Sequence, residues 1–362
     1  MVTTVNSQPT AEQRDVVQRR VESLVVVGRR SRLTGIATPL PMQVVTRSRL
    51  SSIQLQSHFD FVLLESEHTS AILDNPSLSA HRVILRLHND EAQYFRSLAA
   101  SERHMLRKAY YAIESIRFAQ LARSLHRQCD ELWFISRQEH QRFVERNPVL
   151  QNRARVLPPP VSLSSLKTRR YESAAVLFLG TLSLPNNIEG LRWYINKIHP
   201  LLRGIPDYRL MIAGNTREHE SSWIRSVRDM DSTIQLIENP VDLESLYSRA
   251  CVFVNPMLNG AGVKLKTINA IQEGLPVVTT SVGCEGTGLV SGDHLLVADE
   301  PAEFAACVAR LVKGDILAQQ LVQNAQAFLR LEYNHKKLIA QFLSRLFGAA
   351  STEPSSWAPE SR

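Results

Sequence analysis

Glycine is scarce in the first half of this chain. Of 15 glycines in 362 residues, only Gly28 and Gly35 precede Gly180. No glycine-rich loop therefore follows the first predicted strand, and the backbone there has no ready cradle for an anion. Long apolar runs are missing too. Nothing approaches the ~18–20 residues that a membrane-spanning helix needs. The 4 cysteines (Cys129, Cys251, Cys284, Cys307) are far apart and form no CxxC pair. That pattern argues against a zinc site and a disulfide framework, and fits a reduced compartment. The opening MVTTVNSQPTAEQRDVVQRR is polar and lacks the apolar core of a secretory signal. The expected location is the cytoplasm.

What is present describes an ordinary globular chain, 44% hydrophobic and 21% charged, long enough for two domains. Its net charge is +7. Between Arg86 and Gln128 there are eight Lys/Arg against four Asp/Glu. Two readings stay open for this basic stretch. One is a solvated helix face. The other is peripheral contact of residues 96–128 with anionic lipid at the inner face of the membrane. No basic patch interleaved with aromatics occurs, which argues against a nucleic-acid partner.

Short Val/Ile/Leu-rich runs at 23–28 (SLVVVG), 43–46 (QVVT), 59–64 (FDFVLL), 82–87 (RVILRL) and 131–136 (ELWFIS) read as buried strands. Residues 92–128 read as one long helix, with Met105, Leu106, Ala109, Tyr110, Ile113, Ile116 and Leu121 recurring near a 3.6 period. Three consecutive prolines in VLPPPVSLSS exclude helix and central strand, and mark a linker. The second half alternates strand and helix, which implies a doubly wound parallel sheet. The expected layout is a disordered 1–12, a first domain 13–157, a linker 158–173, a second domain 174–328, a last helix 329–348 and a disordered tail 349–362.

Ligands of such sheets bind outside the carboxyl ends of the strands. The loop after the strand at 251–255 is PMLNGAG, followed by a helix carrying Lys264 and Lys266. Gly260 and Gly262 let backbone N–H groups approach an anion, and the helix start and lysines add positive charge. A diphosphate requires that combination. By itself the loop also fits a tight strand–helix turn with surface lysines.

The run PMLNGAGVKLKTINAIQEGLPVVTTSVGCEG resembles the signature of retaining family-4 glycosyltransferases. FLGTLSLPNNIEGLRWY upstream and Arg86-Leu87-His88-Asn89-Asp90-Glu91 in the first half are also similar to that family. The likeness runs from about Val83 to Phe347, and its motifs stand in the right order.

The resemblance implies an α/β fold of the GT-B type, with two Rossmann-like domains facing across a cleft, the first of them reduced. It implies a last helix that crosses back to the first domain. The implied activity is retaining transfer of a sugar from a nucleotide-sugar donor, a UDP- or GDP-sugar, to a glycan or lipid-linked acceptor. No metal and no tightly bound cofactor is implied. Gly180, Thr181 and Asn215 would line the donor crevice, and Val241 would offer backbone groups to the base. Gly260, Ala261 and Gly262 would face the diphosphate and sugar, while Lys264 and Lys266 neutralise the phosphates. His88 would contact the reacting sugar as the candidate catalytic residue. A histidine satisfying a strand-end hydrogen bond is the plainer account of it. Two departures stand out. The family's usual helix glutamate is Asn269 here, with Glu273 one turn on as either a substitute or a surface charge. The glycine-rich loop of the first domain is missing. A catalytically degenerate scaffold subunit is therefore the alternative reading, and homo- or hetero-oligomers remain open.

Overall fold

The computed structural model describes residues 1–347, apart from 32–37, 56–57, 103, 163–165, 169–172, 217–222, 224–225, 228–229 and 261. The chain forms two compact units. The first takes Met1–Ile135 and Glu139–Val156, and the second takes Ser136–Gln138 and everything from Leu157 on.

The first unit opens with a two-stranded parallel pair, β1 (Val2–Val5) and β2 (Val25–Gly28). Residues 2–5 are thus a strand, where the sequence predicts disorder. The exposed backbone of β2 supplies a ladder that the VTTV run can join. Thr10 and Gln13 then close a capping box on the helix Ala11–Gln18. The main sheet has four parallel strands in sequential order, β3 (His58–Glu65), β4 (Ser79–Leu87), β5 (Glu131–Phe134) and β6 (Ala154–Val156). Its core gathers Leu64, Leu85, Leu87, Leu132 and Phe134 with Leu125 from the crossover helix.

Two other expectations fail here. The predicted strand at 43–46 is the short helix Met42–Val45. Pro41 precedes it, and the buried Glu114 carboxylate accepts the Met42 N–H at 2.8 Å. An orphan amide at a helix start is satisfied that way, which periodicity cannot foresee. The predicted single helix over 92–128 is two, Glu91–Ser101 and Met105–Gln128. Phe95 of the one stacks on Phe118 of the other, with ring centroids 5.4 Å apart.

The second unit is a six-stranded parallel sheet of β7 (Ala175–Leu179), β8 (Arg209–Gly214), β9 (Ile234–Glu238), β10 (Val252–Asn255), β11 (Val277–Thr279) and β12 (Leu296–Val297). Its order is β12-β11-β10-β7-β8-β9. Counted within the unit from β7 as the first strand, that is the 3-2-1-4-5-6 order of a dinucleotide-binding sheet. Side chains alternate between two apolar layers. Val176, Phe178, Leu210, Ile212, Val252 and Val254 pack on one face with Leu191, Ile198 and Phe304. Leu177, Met211, Ala213 and Phe253 pack on the other with Leu246, Ile268, Ile271 and Leu329. Continuous apolar strands are what helices on both faces demand. The helix Pro185–Trp193 runs on through a π turn at Tyr194–Ile198, which buries Tyr194 and Ile198. Of the predicted linker, the described part lies on the second unit, where Val161 and Leu166 join an apolar layer. The predicted helix at 221–230 and tail at 349–362 fall wholly or largely outside the described residues. Among the described residues no helix is long and apolar enough to cross a membrane.

Candidate donor-binding site

The strand order of the second unit reverses between β7 and β10. A crevice opens at such a switch point, and it lies at the carboxyl ends of the strands. Four loops meet there. The Gly180 N–H donates to the Ala213 carbonyl at 3.0 Å, and the Leu182 N–H donates to that of Asn215 at 2.8 Å. These two bonds tie the loop after β7 to the loop after β8. The loops touch so closely that a Cβ at Gly214 would come within 1.7 Å of the Gly180 carbonyl oxygen. Asn215 itself is exposed. Asn239 (φ 48°) couples the next loop: its N–H donates to the Gly214 carbonyl at 2.9 Å, and its amide pairs with Thr216. Val241, two residues on, is fully exposed.

The loop after β10 holds the cations. Gly260 (φ 141°) and Gly262 (φ 76°) both adopt backbone conformations that side chains avoid. Ala261 between them lies outside the described residues. Lys264 is buried and donates to the Gly262 carbonyl at 2.9 Å, with the Glu285 carboxylate 4.0 Å away. It also stands at the start of the helix Leu265–Gln272. Lys266 donates to Asn187 Oδ1 at 2.7 Å and sits 5.2 Å from the centroid of the Phe178 ring. Burial, with help from the neighbouring Lys264 charge, pulls its ammonium down to about 8. Lys264 and Lys266 thus bring two cationic groups to one loop and the helix that follows it. Asn269, farther along the helix, is exposed. Glu273, one turn on, pairs its carboxylate with Lys167 at 2.9 Å.

His88 belongs to the first unit, just past β4. Its Nε2 lies 2.7 Å from Glu65 Oε2, and Arg86 donates to Glu65 Oε1 at 3.2 Å. Burial works against the Glu65 charge, but the hydrogen bonds from His88 and Arg86 prevail and hold it below the usual carboxylate range. Glu65 thus gives His88 a hydrogen-bond partner at the strand end. Glu67 is buried, and that burial, with the charges of Glu91 and Asp90, raises its carboxyl well above normal.

Comparison with known proteins bears on this geometry. Residues 173–314 match the family Glycosyl transferases group 1. A relative described as an uncharacterized 44.6 kDa protein in the cps region of Klebsiella pneumoniae is 36% identical over 320 residues, which cover 86% of this chain and 80% of that one. The chain belongs to the group 1 glycosyltransferases. Solved structures agree on the fold. Anabaena HepE in complex with UDP-glucose aligns at TM-score 0.66 and 11% identity, over 95% of this chain and 91% of HepE. The sucrose-phosphate synthase of Thermosynechococcus elongatus aligns at 0.60 and 17%, over 81% and 74%. TarM aligns at 0.60 and 10%, over 80% of this chain and 55% of TarM, so the glycosyltransferase spans about half of TarM's length.

Two further residues of the candidate site carry no distinctive mark in the sequence. Asn187 bridges the loops: its Nδ2 donates to the Thr181 carbonyl at 3.0 Å while its Oδ1 takes Lys266. Asn255, buried at the end of β10, donates to Thr267 Oγ1 and the Gly283 carbonyl, each at 3.0 Å. It thereby locks the helix Leu265–Gln272 to the Ser281–Cys284 turn. An asparagine at a strand end or at a helix start is a common turn residue, so neither stood out from composition.

Proposed function

We propose that this glycosyltransferase moves a sugar, with retention at the anomeric carbon, from a UDP- or GDP-sugar to a glycan or lipid-linked acceptor. One observation carries the reading. Lys264 and Lys266 converge with Gly260 and Gly262 at a helix start beside the topological switch point. That is where a nucleoside diphosphate would lie, and the UDP-glucose complex of the structurally similar HepE supports a uridine donor.

The chemistry follows from the cations. As the bond between the sugar C1 and the β-phosphate oxygen breaks, negative charge grows on that oxygen. Two fixed ammonium groups stabilise it without reorganisation. The acceptor oxygen bonds to C1 on the same face, and its proton passes to the departing phosphate. Gly180 and Thr181 border the diphosphate, and Asn215 joins them at the crevice. Val241 presents backbone groups to the base. Asn269 accepts from a ribose hydroxyl as a neutral amide. His88, oriented by Glu65, contacts the sugar. No step in this scheme requires a bound metal.

The test is calorimetric titration with UDP-, GDP-, ADP- and dTDP-sugars, followed by NMR of the product's anomeric proton. Binding of a uridine or guanosine donor and a product that keeps the donor's anomeric configuration are expected. No binding of any donor or free nucleotide, or an inverted product, refutes the proposal.

A further inference from the structure

Of the apolar stripe that makes the sequence read as helix over 105–128, Leu121 packs against the core, but the stretch from Met105 to Ile116 does not. Met105 is 75% exposed, Leu106 78%, Ile113 48% and Ile116 60%. The buried face of this helix is Glu114, Ser115, Phe118 and Leu125. Its rotation is set by two contacts. Glu114 caps the Met42–Val45 helix and pairs with Arg117 at 2.9 Å, while Phe118 stacks on Phe95. With those satisfied, the stripe from Met105 to Ile116 is left exposed. Monomeric soluble proteins rarely expose such a contiguous patch without a partner for it.

The charge around the stripe identifies the partner's chemistry. Arg96, Arg107, Lys108, Arg123 and Arg127 are all exposed. Of the described acids on the same two helices, Glu91 and Glu114 are both buried. Along one ridge, Ile113 and Ile116 are followed at three- and four-residue steps by Gln120, Arg123 and Arg127, so the helix presents an apolar end and a cationic end on one face. A furrow between the two helices is lined by Ala99, Ala112, Ile116 and Ala119 together with Arg96 and Arg123. Apolar side chains flanked by guanidinium groups match the boundary between acyl chains and phosphate headgroups.

The structure assigns this face, we infer, to an anionic lipid bilayer. Met105, Leu106, Ile113 and Ile116 enter the acyl boundary, and Arg96, Arg123 and Arg127 meet the phosphates. The inference does not depend on which donor the second unit binds.

Co-sedimentation of the full chain with phosphatidylcholine vesicles, with and without phosphatidylglycerol, tests it. Binding is expected only with phosphatidylglycerol and should weaken as salt rises. Arg123→Ala should lower the affinity about fivefold, the worth of one cation at an anionic surface. The double variant Ile113→Glu, Ile116→Glu should lose binding, keep its far-UV circular dichroism and still take up a soluble donor nucleotide. Equal binding to both vesicles, no binding to either, or full binding by the double variant overturns the inference. So does sedimentation equilibrium showing a dimer that the double variant abolishes while wild-type protein ignores vesicles; the face then joins two copies of the chain.

Discussion

Replacing Lys266 by methionine should stabilise the empty protein and abolish donor binding. The ammonium of Lys266 sits over Phe178 against Asn187, and burial followed by the Lys264 charge lowers it from 10.5 to about 8. At 1.36 kcal/mol per pH unit, holding that charge costs the folded state about 3 kcal/mol at pH 7. The sign follows from proton binding. Between about pH 8 and 10.5 the unfolded chain holds the proton and the folded chain does not, so stability rises with pH across that window and the cost is full below it. Lys266→Met removes the cost but leaves Asn187 Oδ1 without its donor, a loss of about 1–3 kcal/mol. The net gain is about 0–2 kcal/mol, or a Tm rise of up to about 8 °C. Differential scanning calorimetry at pH 7, with and without UDP, reads it. Wild type should gain Tm on adding UDP and the variant should not. The wild-type affinity should also fall about tenfold per pH unit above about 8, as binding must then draw a proton onto Lys266. A variant that melts lower than wild type and still binds UDP normally refutes the assignment of Lys266 as a strained phosphate cation.

Three further outcomes are expected. Gly214→Ala drives a methyl to 1.7 Å from the Gly180 carbonyl oxygen, so it should destabilise the chain by about 3 kcal/mol or more in urea unfolding and weaken donor binding through the displaced loops. Asn269→Glu restores a charged acceptor and, with charge-assisted hydrogen bonds about twice as strong as neutral ones, should tighten donor binding about tenfold by calorimetry. His126 is held to about 4 by burial and then by Arg153, so the unfolded chain binds the extra proton first, and stability should fall as pH drops from 6.5 towards 4. His126→Phe, placed against Phe143, should flatten that acid limb in chemical denaturation.

The legible parts of this protein are those with a local cause. Val, Ile and Leu runs marked most strands, because a strand covered on both faces must be apolar throughout. Gly260 and Gly262 stood out because positive φ selects glycine, and their lysines stood out because a helix start and cations collect phosphate. The misread segments had remote causes. QVVT became a helix because a carboxylate 72 residues away caps it. The VTTV run became a strand because β2 lay open beside it.

By itself, the sequence determined the strand–helix alternation, the glycines at positive φ after β10 and the membership of a glycosyltransferase family. Tertiary structure alone decided which face each helix turns inward and what each polar group touches. It buried Glu114 and left Ile113 and Ile116 to solvent, gave Glu273 to Lys167, and joined Lys266 to Asn187. The reason is physical. A periodic pattern states that a helix has an apolar face. Only the full set of buried hydrogen bonds and stacked rings selects the rotation at which every interior polar group finds a partner.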